Sequence, residues 1–424
     1  MSKVLTMAAL LCASLTAQAQ PVNQVVQWNR TLLAIVRTTG AQPPTIHSTR
    51  SFAIMHAAIY DAVNAIDGTH EPYLIRLKNV SPGASQDAAA SAAAHEVLVA
   101  LYPKFQMTFD TQFNLSLTQI SGGDIAAGVA VGTAVADDIL KIRSNDKSNA
   151  APPPFVFDNV PGRYLAPFPS APGTQPQFTH WSGVTPFALR KADQFRPGPP
   201  PALGSDAYAD VFNEVKAFGI VNGTAASADQ ALTGRFWNGA IQNYWNEIAQ
   251  TASQNRNLTT AQNARLFAAL NLALADSVIA FYDAKYVYNF WRPVTAIRAA
   301  DPAENPATFP DPNWLPEVGK TTPDPAYPGA HAVISAAGAT VLNSFFRGHR
   351  FDFNVTSEVM PGTVRSFKNF SAAEKEATLS RIFAGVHFRS DLTSGNQLGR
   401  EVAHFVVDNF LTPLGRDDES DDDN

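Results

Sequence analysis

Stretches with apolar residues at helical spacing constrain the fold of this chain more than any other feature of its sequence. In residues 48–66 the apolar side chains Phe52, Met55, Ile59 and Val63 recur every three or four positions, the repeat that places side chains on one face of an α-helix. Segments that alternate apolar and polar residues, as half-buried strands do, are scarce. The pattern therefore predicts a mostly α protein.

The same helical spacing recurs along both halves of the chain. It is found again in residues 85–102, 122–142, 205–219, 227–252 and 259–290. A chain of 424 residues, of which 45% are hydrophobic and only 16% charged, is long enough to bury a large core, and one domain can reach this size. Because no obvious linker divides the chain, we expect a single α-helical domain over residues 20–416.

A proline-rich segment, residues 151–203, interrupts the helical pattern with many of the 30 prolines of the chain. Such a run is typical either of a polyproline ligand for a partner domain or of a long ordered loop. Phe, Tyr and Trp residues lie between the prolines and can anchor the backbone to a core. The composition therefore favours long, ordered Pro-rich loops over the surface of the helical domain.

Residues 1–19 have the organisation of a secretory signal peptide. Lys3 precedes an apolar run, and the small residues Ala17 and Ala19 form a cleavage pattern. This segment contains Cys12, the one cysteine of the chain, so the mature protein would have no disulfide, catalytic thiolate or cysteine-bound metal. We expect an exported protein, periplasmic or extracellular.

The charge pattern bears on the class of partner. The net charge of −6 argues against a nucleic-acid partner, and part of it comes from residues 417–424, an acidic tail that we expect to be disordered. Beyond the predicted signal peptide, no stretch supplies the ~20 uninterrupted apolar residues of a membrane span. The partners expected are small molecules.

Three short segments in the C-terminal part carry residues suited to an anion site. In the first, Lys285 and Arg292 are seven residues apart, about two helical turns, which predicts that both cations lie on one helix face. In the second, Gly329 and Ala330 precede a strongly helical run, and the unpaired N–H groups at a helix start favour an anion. His331 would meet that anion.

The third segment, residues 380–391, combines Arg381, His387 and Asp391 with apolar neighbours. Lone charges are expensive to bury, so this composition indicates a bound anion, for which Arg381 offers a fork of donors. On a helix, the spacing of His387 and Asp391 lets the carboxylate fix the imidazole tautomer. The other ring nitrogen is then free to attack or to ligate.

Each of these residues also has another interpretation. Lys285 can be a solvated helix residue and His387 a satisfied interior histidine, while Arg381 and Asp391 can form a structural ion pair. A zinc site of His331, His387 and Asp391 is a further alternative. Zinc ligand sets do not need two arginines and a lysine, whose charges repel the metal, so the combination favours an oxoanion.

In order and spacing, the three segments resemble the signature of the vanadium-dependent haloperoxidase and type 2 phosphatidic-acid phosphatase (PAP2) superfamily. They are Lys285-x6-Arg292-Pro293, then Pro328-Gly329-Ala330-His331, then Ser380-Arg381-x5-His387-x3-Asp391. Other stretches, among them KYVYNFWRPVTAIR, are similar to the soluble secreted haloperoxidase-like branch. The resemblance covers roughly residues 25–410.

The resemblance implies a helical-bundle fold of this type and a site that holds vanadate, or phosphate in the hydrolases. The oxoanion would be neutralised by Lys285, Arg292 and Arg381 and would lie against Gly329 and Ala330. His387 would bind vanadium directly, or attack phosphorus in a phosphatase. Asp391 would orient His387, and His331 would be the acid–base residue.

The function implied is a vanadate-dependent haloperoxidase that oxidises halide with hydrogen peroxide, with an organic acceptor as a further small-molecule partner. A cage of fixed cations also suits the phosphoryl-transfer transition state. The alternative is therefore a secreted acid phosphatase that hydrolyses a phosphate ester through phosphorylated His387. A second alternative is a non-catalytic oxoanion-binding protein.

One motif departs from the family pattern. Where the family has Pro-Ser-Gly-His, this chain has Gly329 and Ala330 in place of Ser and Gly. Loss of a serine hydrogen bond to a charged group corresponds to about 1.5–3 kcal/mol, or about tenfold to a hundredfold in affinity. Asp324, an acid close to the position that a halide would approach, also argues against halide oxidation.

Overall fold

The structure, a computed structural model, describes residues 23–171, 174–348 and 350–415. The predicted signal peptide and acidic tail lie outside these residues. Within them the chain forms thirteen α-helices and a single hairpin of two short strands. The prediction of a mostly α protein is confirmed.

The helices fall into two groups, one on each side of the Pro-rich segment. The first group is α1 (Gln24–Arg37), α2 (Ser48–Asp67), α3 (Gln86–Leu101), α4 (Gln106–Gln119) and α5 (Ile125–Arg143). The second is α6 (Asp206–Phe218), α7 (Ala228–Phe236), α8 (Ile241–Asn255), α9 (Thr260–Tyr288), α10 (Pro293–Arg298), α11 (Ala330–Phe345), α12 (Phe370–Phe383) and α13 (Arg389–Asn409). The antiparallel strands β1 (Phe353–Thr356) and β2 (Val364–Phe367) lie between α11 and α12.

The longest helix, α9, forms the centre of the fold. It begins with a capping box in which Thr259 and Gln262 satisfy each other's backbone amides. It ends where Asn289 adopts a left-handed conformation, with φ of 50°. α9 is long and apolar enough to cross a membrane, but 94% of its most apolar window is buried within the protein. It is therefore the core helix, packed against α2, α11 and α13.

Small residues let the helices of the first group approach closely. On α5, a Cβ atom added to Gly132 would lie 2.3 Å from the carbonyl oxygen of Ala89 on α3, which is closer than real Cβ contacts allow. A residue larger than glycine would force these two helices apart. The Ala-rich composition of this region thus serves close helix packing.

Two apolar clusters divide the interior. The larger surrounds α9, and the smaller is built mainly from aromatic side chains near the three sequence motifs. Tyr208, Phe290 and Phe388 contact one another at ring-centroid distances of 5.7 to 6.4 Å. Because Phe388 follows His387 directly, this small cluster fixes the backbone on which the histidine is carried.

The described residues of the Pro-rich segment run over the protein surface with only one short 3-10 turn, Trp181–Gly183. The segment is bonded to the chain around the first two motifs. The amide of Tyr164 donates to the carbonyl of Asn289 at 2.8 Å, and the amide of Gln177 donates to that of Pro323 at 2.7 Å. The segment is therefore an ordered excursion that packs beside the candidate site.

The helical pattern was incomplete in two respects. Residues 227–252, predicted as continuous, form two helices, because the chain turns through Asn238 and Gly239 between α7 and α8. The helices α1, α4, α10, α12 and α13 were not predicted as elements. Among the residues of α4 only Phe109 and Ser116 are buried, so its apolar pattern is weak.

Asp276 on α9 holds the end of the Pro-rich segment. Its buried carboxylate accepts hydrogen bonds from the amides of Phe187, Ala188 and Leu189 at 2.6 to 2.7 Å. We expect Asp276→Asn to lower the free energy of unfolding by about 2–4 kcal/mol, because an amide group cannot accept all three bonds and places a donor against donors. Urea unfolding measures the change.

The matched control is Asp138→Asn on α5, which removes the same charge from an exposed position. We expect that variant to remain within about 0.5 kcal/mol of the native protein. Equal unfolding midpoints for the two variants would contradict the role assigned to Asp276.

Candidate active site

The residues of the three motifs gather at one place in the fold. Lys285 is on the last turn of α9, and Arg292 is the residue before α10. Since α9 ends at Tyr288, the prediction that both cations lie on one helix face is wrong. They converge because the chain turns after α9 and both side chains reach Asp324.

Lys285 is fully buried, and its hydrogen bonds and ion pair among the described residues are with the segment that precedes α11. Its Nζ donates to the carbonyl oxygens of Pro325 and Ala326, the latter at 3.3 Å. It also forms an ion pair with Asp324 at 3.3 Å. These contacts match the three donors of an ammonium group, so the interpretation of Lys285 as a solvated helix residue is wrong.

Arg292 is buried, with 1% of its surface exposed, and all of its N–H groups have partners. Nε donates to the Asp324 carbonyl at 3.0 Å, and Nη2 donates to Thr322 Oγ1 at 2.6 Å and to the Asp324 carboxylate. Nη1 lies 3.0 Å from the Val386 carbonyl and 3.0 Å from Nε2 of His387. The guanidinium therefore joins the first motif to the third.

His387 is held between Arg292 and Asp391. Its Nδ1 lies 3.0 Å from Asp391 Oδ2, and its Nε2 faces the Arg292 N–H group. Since Arg292 can only donate, Nε2 carries the lone pair and Nδ1 carries the proton. The predicted tautomer is therefore the one that these contacts require.

The helical geometry assumed for His387 and Asp391 is wrong. His387 precedes α13, and Gly385 turns the chain out of α12 with a φ of 77°. Asp391 lies in the first turn of α13, where its carboxylate also accepts the Phe388 amide at 3.0 Å. The carboxylate thus caps the helix and orients the imidazole.

His331 lies in the first turn of α11. Its Nε2 is 2.8 Å from the carbonyl oxygen of Trp237, so Nε2 carries the proton and Nδ1 has the free lone pair. Among the described residues, Nδ1 makes no hydrogen bond.

Arg381 is the cation whose donors are not all used. It is 4% exposed and lies on α12, where Nη2 donates to Asn238 Oδ1 at 3.1 Å. Nε and Nη1 are buried and have no hydrogen-bond partner in the described part of the chain. Buried donors of a guanidinium are seldom left unpaired, so Arg381 lacks an acceptor. No ion pair between Arg381 and Asp391 is present among the described residues.

The start of α11 is only partly available to an anion. The amide of Gly329 donates to the backbone carbonyl of Asp391 at 2.9 Å, so this N–H is not free, contrary to the expectation for a helix start. Within the described chain, the amides of Ala330 and His331 donate to no acceptor. A Cβ atom on residue 329 would lie 3.0 Å from Leu392 Cδ2, so a serine there would require Leu392 to move.

Burial and the three cations set the charges of the site. Burial lowers the pKa of Lys285 to about 8 and that of Arg381 to about 9. Burial, together with the charges of nearby arginines, holds the pKa of His331 and of His387 well below its ordinary value. Both imidazoles are therefore neutral near pH 7.

The two acids of the site differ. Burial raises the pKa of Asp391 to about 7, although the hydrogen bond from the Phe388 amide and the nearby cations lower it. Burial also acts to raise the pKa of Asp324. There, however, the charges of Lys285 and Arg292 outweigh burial and hold the pKa below its ordinary value. Asp324 is therefore ionised in the presence of its two partners.

Sequence reasoning missed four residues that position the site, namely Thr322, Val386, Trp237 and Asn238. Val386 and Trp237 act through backbone carbonyls, for which side-chain identity gives no signal. Asn238 could have been noticed, because Asn-Gly marks a turn and loops carry functional groups.

A zinc site is not supported by this arrangement. His331 bonds to Trp237, and Asp391 bonds to His387. In residues 23–171, 174–348 and 350–415, no group of three or more His, Cys, Asp or Glu side chains is placed to hold a metal ion.

The tautomer of His387 can be tested directly. We expect nitrogen NMR of histidine-labelled protein to show the Nδ1–H form of His387 at about pH 7.5 and the same singly protonated ring at about pH 5.5. The reason is that burial and the surrounding cations oppose a second proton. The His387→Gln variant identifies the signal by its loss, and conversion of His387 to the imidazolium with a midpoint near 6.5 would contradict the assignment.

Comparisons with known sequences match this chain to a family model and to a relative of known activity. Residues 265–414 match the family model described as the VCPO second helical-bundle domain. Vanadium chloroperoxidase of Curvularia inaequalis is 23% identical over 495 residues, which cover 89% of this chain and 80% of that protein.

Solved structures show the same fold over most of the chain. A bacterial vanadium-dependent iodoperoxidase is 26% identical with a TM-score of 0.78, covering 93% of this chain and 96% of that one. A holo-type bacterial vanadium-dependent chloroperoxidase is 16% identical with a TM-score of 0.69, covering 92% and 96%. The resemblance of the three motifs to the vanadium haloperoxidases and the PAP2-like superfamily is thereby confirmed.

Proposed function

We propose that the protein is a vanadate-dependent haloperoxidase that oxidises halide with hydrogen peroxide. The observation that carries the proposal is Arg381, a buried guanidinium whose Nε and Nη1 have no partner among the described residues and whose charge also helps to keep His387 neutral. A cation with free buried donors beside an imidazole lone pair suits a tetrahedral oxoanion. The similarity to vanadium haloperoxidases supports vanadate as that anion.

The residues present fit such a group in chemistry. His387 offers a neutral Nε2, Arg381 offers free donors, and the amides of Ala330 and His331 face no acceptor in the described residues. Bound vanadate would supply a Lewis-acidic centre at which hydrogen peroxide is activated towards halide.

The chain's own residues would then have separate tasks. Lys285, Arg292 and Arg381 would neutralise the oxoanion, and His387 would ligate it through Nε2. Asp391 would hold the Nδ1 proton and thereby keep the lone pair on Nε2. His331, neutral and with a free Nδ1, would accept and return a proton.

The same cage supports an acid phosphatase as the second candidate, because a neutral His387 Nε2 is also a nucleophile for phosphorus. In that case His331 Nδ1 would take the proton of the phosphate monoester monoanion and return it to the leaving alkoxide.

The proposal includes export to a periplasm or the cell exterior, as the leader-like sequence of residues 1–19 suggests.

The activity test uses purified protein with vanadate, hydrogen peroxide and a dione indicator, in iodide, bromide and chloride in turn. We expect halogenation that requires vanadate and that falls at least about a hundredfold in His387→Ala, because the ligand is lost. His404→Ala, an exposed histidine on α13, is the matched control and should retain the native rate.

Three other outcomes would each decide against the proposal. Hydrolysis of an aryl phosphate that vanadate inhibits, without halogenation, would identify the phosphatase. Binding of vanadate or phosphate with neither reaction would identify a non-catalytic oxoanion-binding protein. A folded protein that binds neither anion would eliminate the site itself.

Oxoanion binding should weaken in alkaline solution. Because burial lowers the pKa of Lys285 to about 8, the free site loses a positive charge above that pH, and an anion must then bind together with a proton. We expect a smaller fall in affinity around pH 7, where Asp391 ionises, and a fall of about tenfold for each unit well above pH 8. Calorimetry with sulfate, which does not itself titrate in this range, measures the effect.

Lys285→Arg is the matched control, because its side chain stays charged throughout this range. If it folds, it should abolish the fall in affinity above about pH 8, because the charge at position 285 no longer titrates. A native affinity that is unchanged up to about pH 10 would contradict the assignment of Lys285 to the anion.

A further inference from the structure

Two of the three cations in the site have no donor left for an oxoanion. The three donors of the Lys285 ammonium are matched by two carbonyls and by Asp324, and the five N–H groups of Arg292 all have acceptors. Arg381 alone of the three keeps two nitrogens without a partner among the described residues. The protein's own acceptors therefore use all donors of Lys285 and Arg292, but not those of Arg381.

One side chain, Asp324, pairs with both Lys285 and Arg292. The Asp324 carboxylate pairs with Lys285 through Oδ2 at 3.3 Å and with Arg292 through Oδ1. Thr322 donates to the same Oδ1 at 2.7 Å, a third contact that a displaced carboxylate would lose. Asp324 is 6% exposed, so water screens these pairs little and each is strong.

We propose that Asp324 is an internal counter-ion that competes with the oxoanion for Lys285 and Arg292. Ligation by His387 Nε2 releases the Arg292 Nη1–H, and Arg381 accepts the anion without losing a partner. An oxoanion that takes a donor of Lys285 or of Arg292 Nη2 must displace the Asp324 carboxylate from it. The competition lowers oxoanion affinity and makes Asp324 a specificity-determining residue of the site. This inference rests on the proposed oxoanion-binding function.

The position of Asp324 explains why displacement is possible. It lies in the segment between α10 and α11 that has no helix or strand, so its side chain can turn without breaking a regular element. Asp391, in contrast, is fixed by the Phe388 amide and by His387 at 3.0 Å. The two acids of the site thus have different roles: one orients the imidazole and the other competes with the ligand.

The test compares native protein with Asp324→Asn by calorimetry, using inorganic phosphate and orthovanadate as probes. The variant keeps the shape of the side chain and removes its charge. We expect the Kd of both anions to decrease about tenfold to a hundredfold in Asp324→Asn, because a competing charged hydrogen-bond partner is lost. Asp229→Asn, which removes an equal charge from a largely exposed pair with Arg365, should leave both Kd values unchanged.

The outcomes separate this inference from the proposed function. Native protein that binds the anions as tightly as Asp324→Asn, or more tightly, overturns the counter-ion role and leaves the oxoanion site intact. If neither protein binds phosphate or vanadate, the oxoanion-binding function itself fails, and the inference fails with it.

A variant that does not fold in plain buffer remains informative. Without Asp324 the two buried cations lack a counter-charge, and a bound oxoanion is expected to supply one and to stabilise the folded state. Asp324→Asn that regains its native circular dichroism and a cooperative Tm in saturating phosphate supports the counter-ion role. Asp324→Asn that stays unfolded in phosphate and in vanadate overturns it.

Discussion

The burial of three positive charges in one small volume is the constraint on which the rest of the site depends. Lys285, Arg292 and Arg381 are each less than 5% exposed, and taking such charges out of water is unfavourable unless acceptors replace the water. Asp324, Thr322 and several backbone carbonyls meet this need for the first two cations. The same positive field keeps both nearby imidazoles neutral, which leaves His387 with a lone pair.

The helical fold provides this field with a rigid frame. α9 supplies Lys285 from the centre of the larger core, whereas Arg292, His387 and the start of α11 are carried by segments around the smaller aromatic cluster. The Pro-rich segment bonds to the backbone beside the motifs. Polar groups that would otherwise lie on exposed loops are therefore held in place from several directions.

The sequence predicted the existence of most helices and the gathering of the motif residues, because apolar periodicity and residue order carry that information. It failed where geometry depends on turns. Lys285 and Arg292 meet through the turn at Asn289 and not on one helix face, and Gly385 separates Arg381 from His387. The full extent of the role of Asp324 was also hidden, since an acid in a loop gives no indication of which cations it faces.

The hydrogen-bond partners of the motif residues are dispersed along the chain. Residues 265–414 contain every candidate catalytic residue, yet Arg381 relies on Asn238, and His331 relies on Trp237, both supplied by the preceding part. A fragment that begins at residue 265 would hold the right side chains without their supports. The geometry of the site is thus a property of the whole folded chain and not of the segment that carries the motifs.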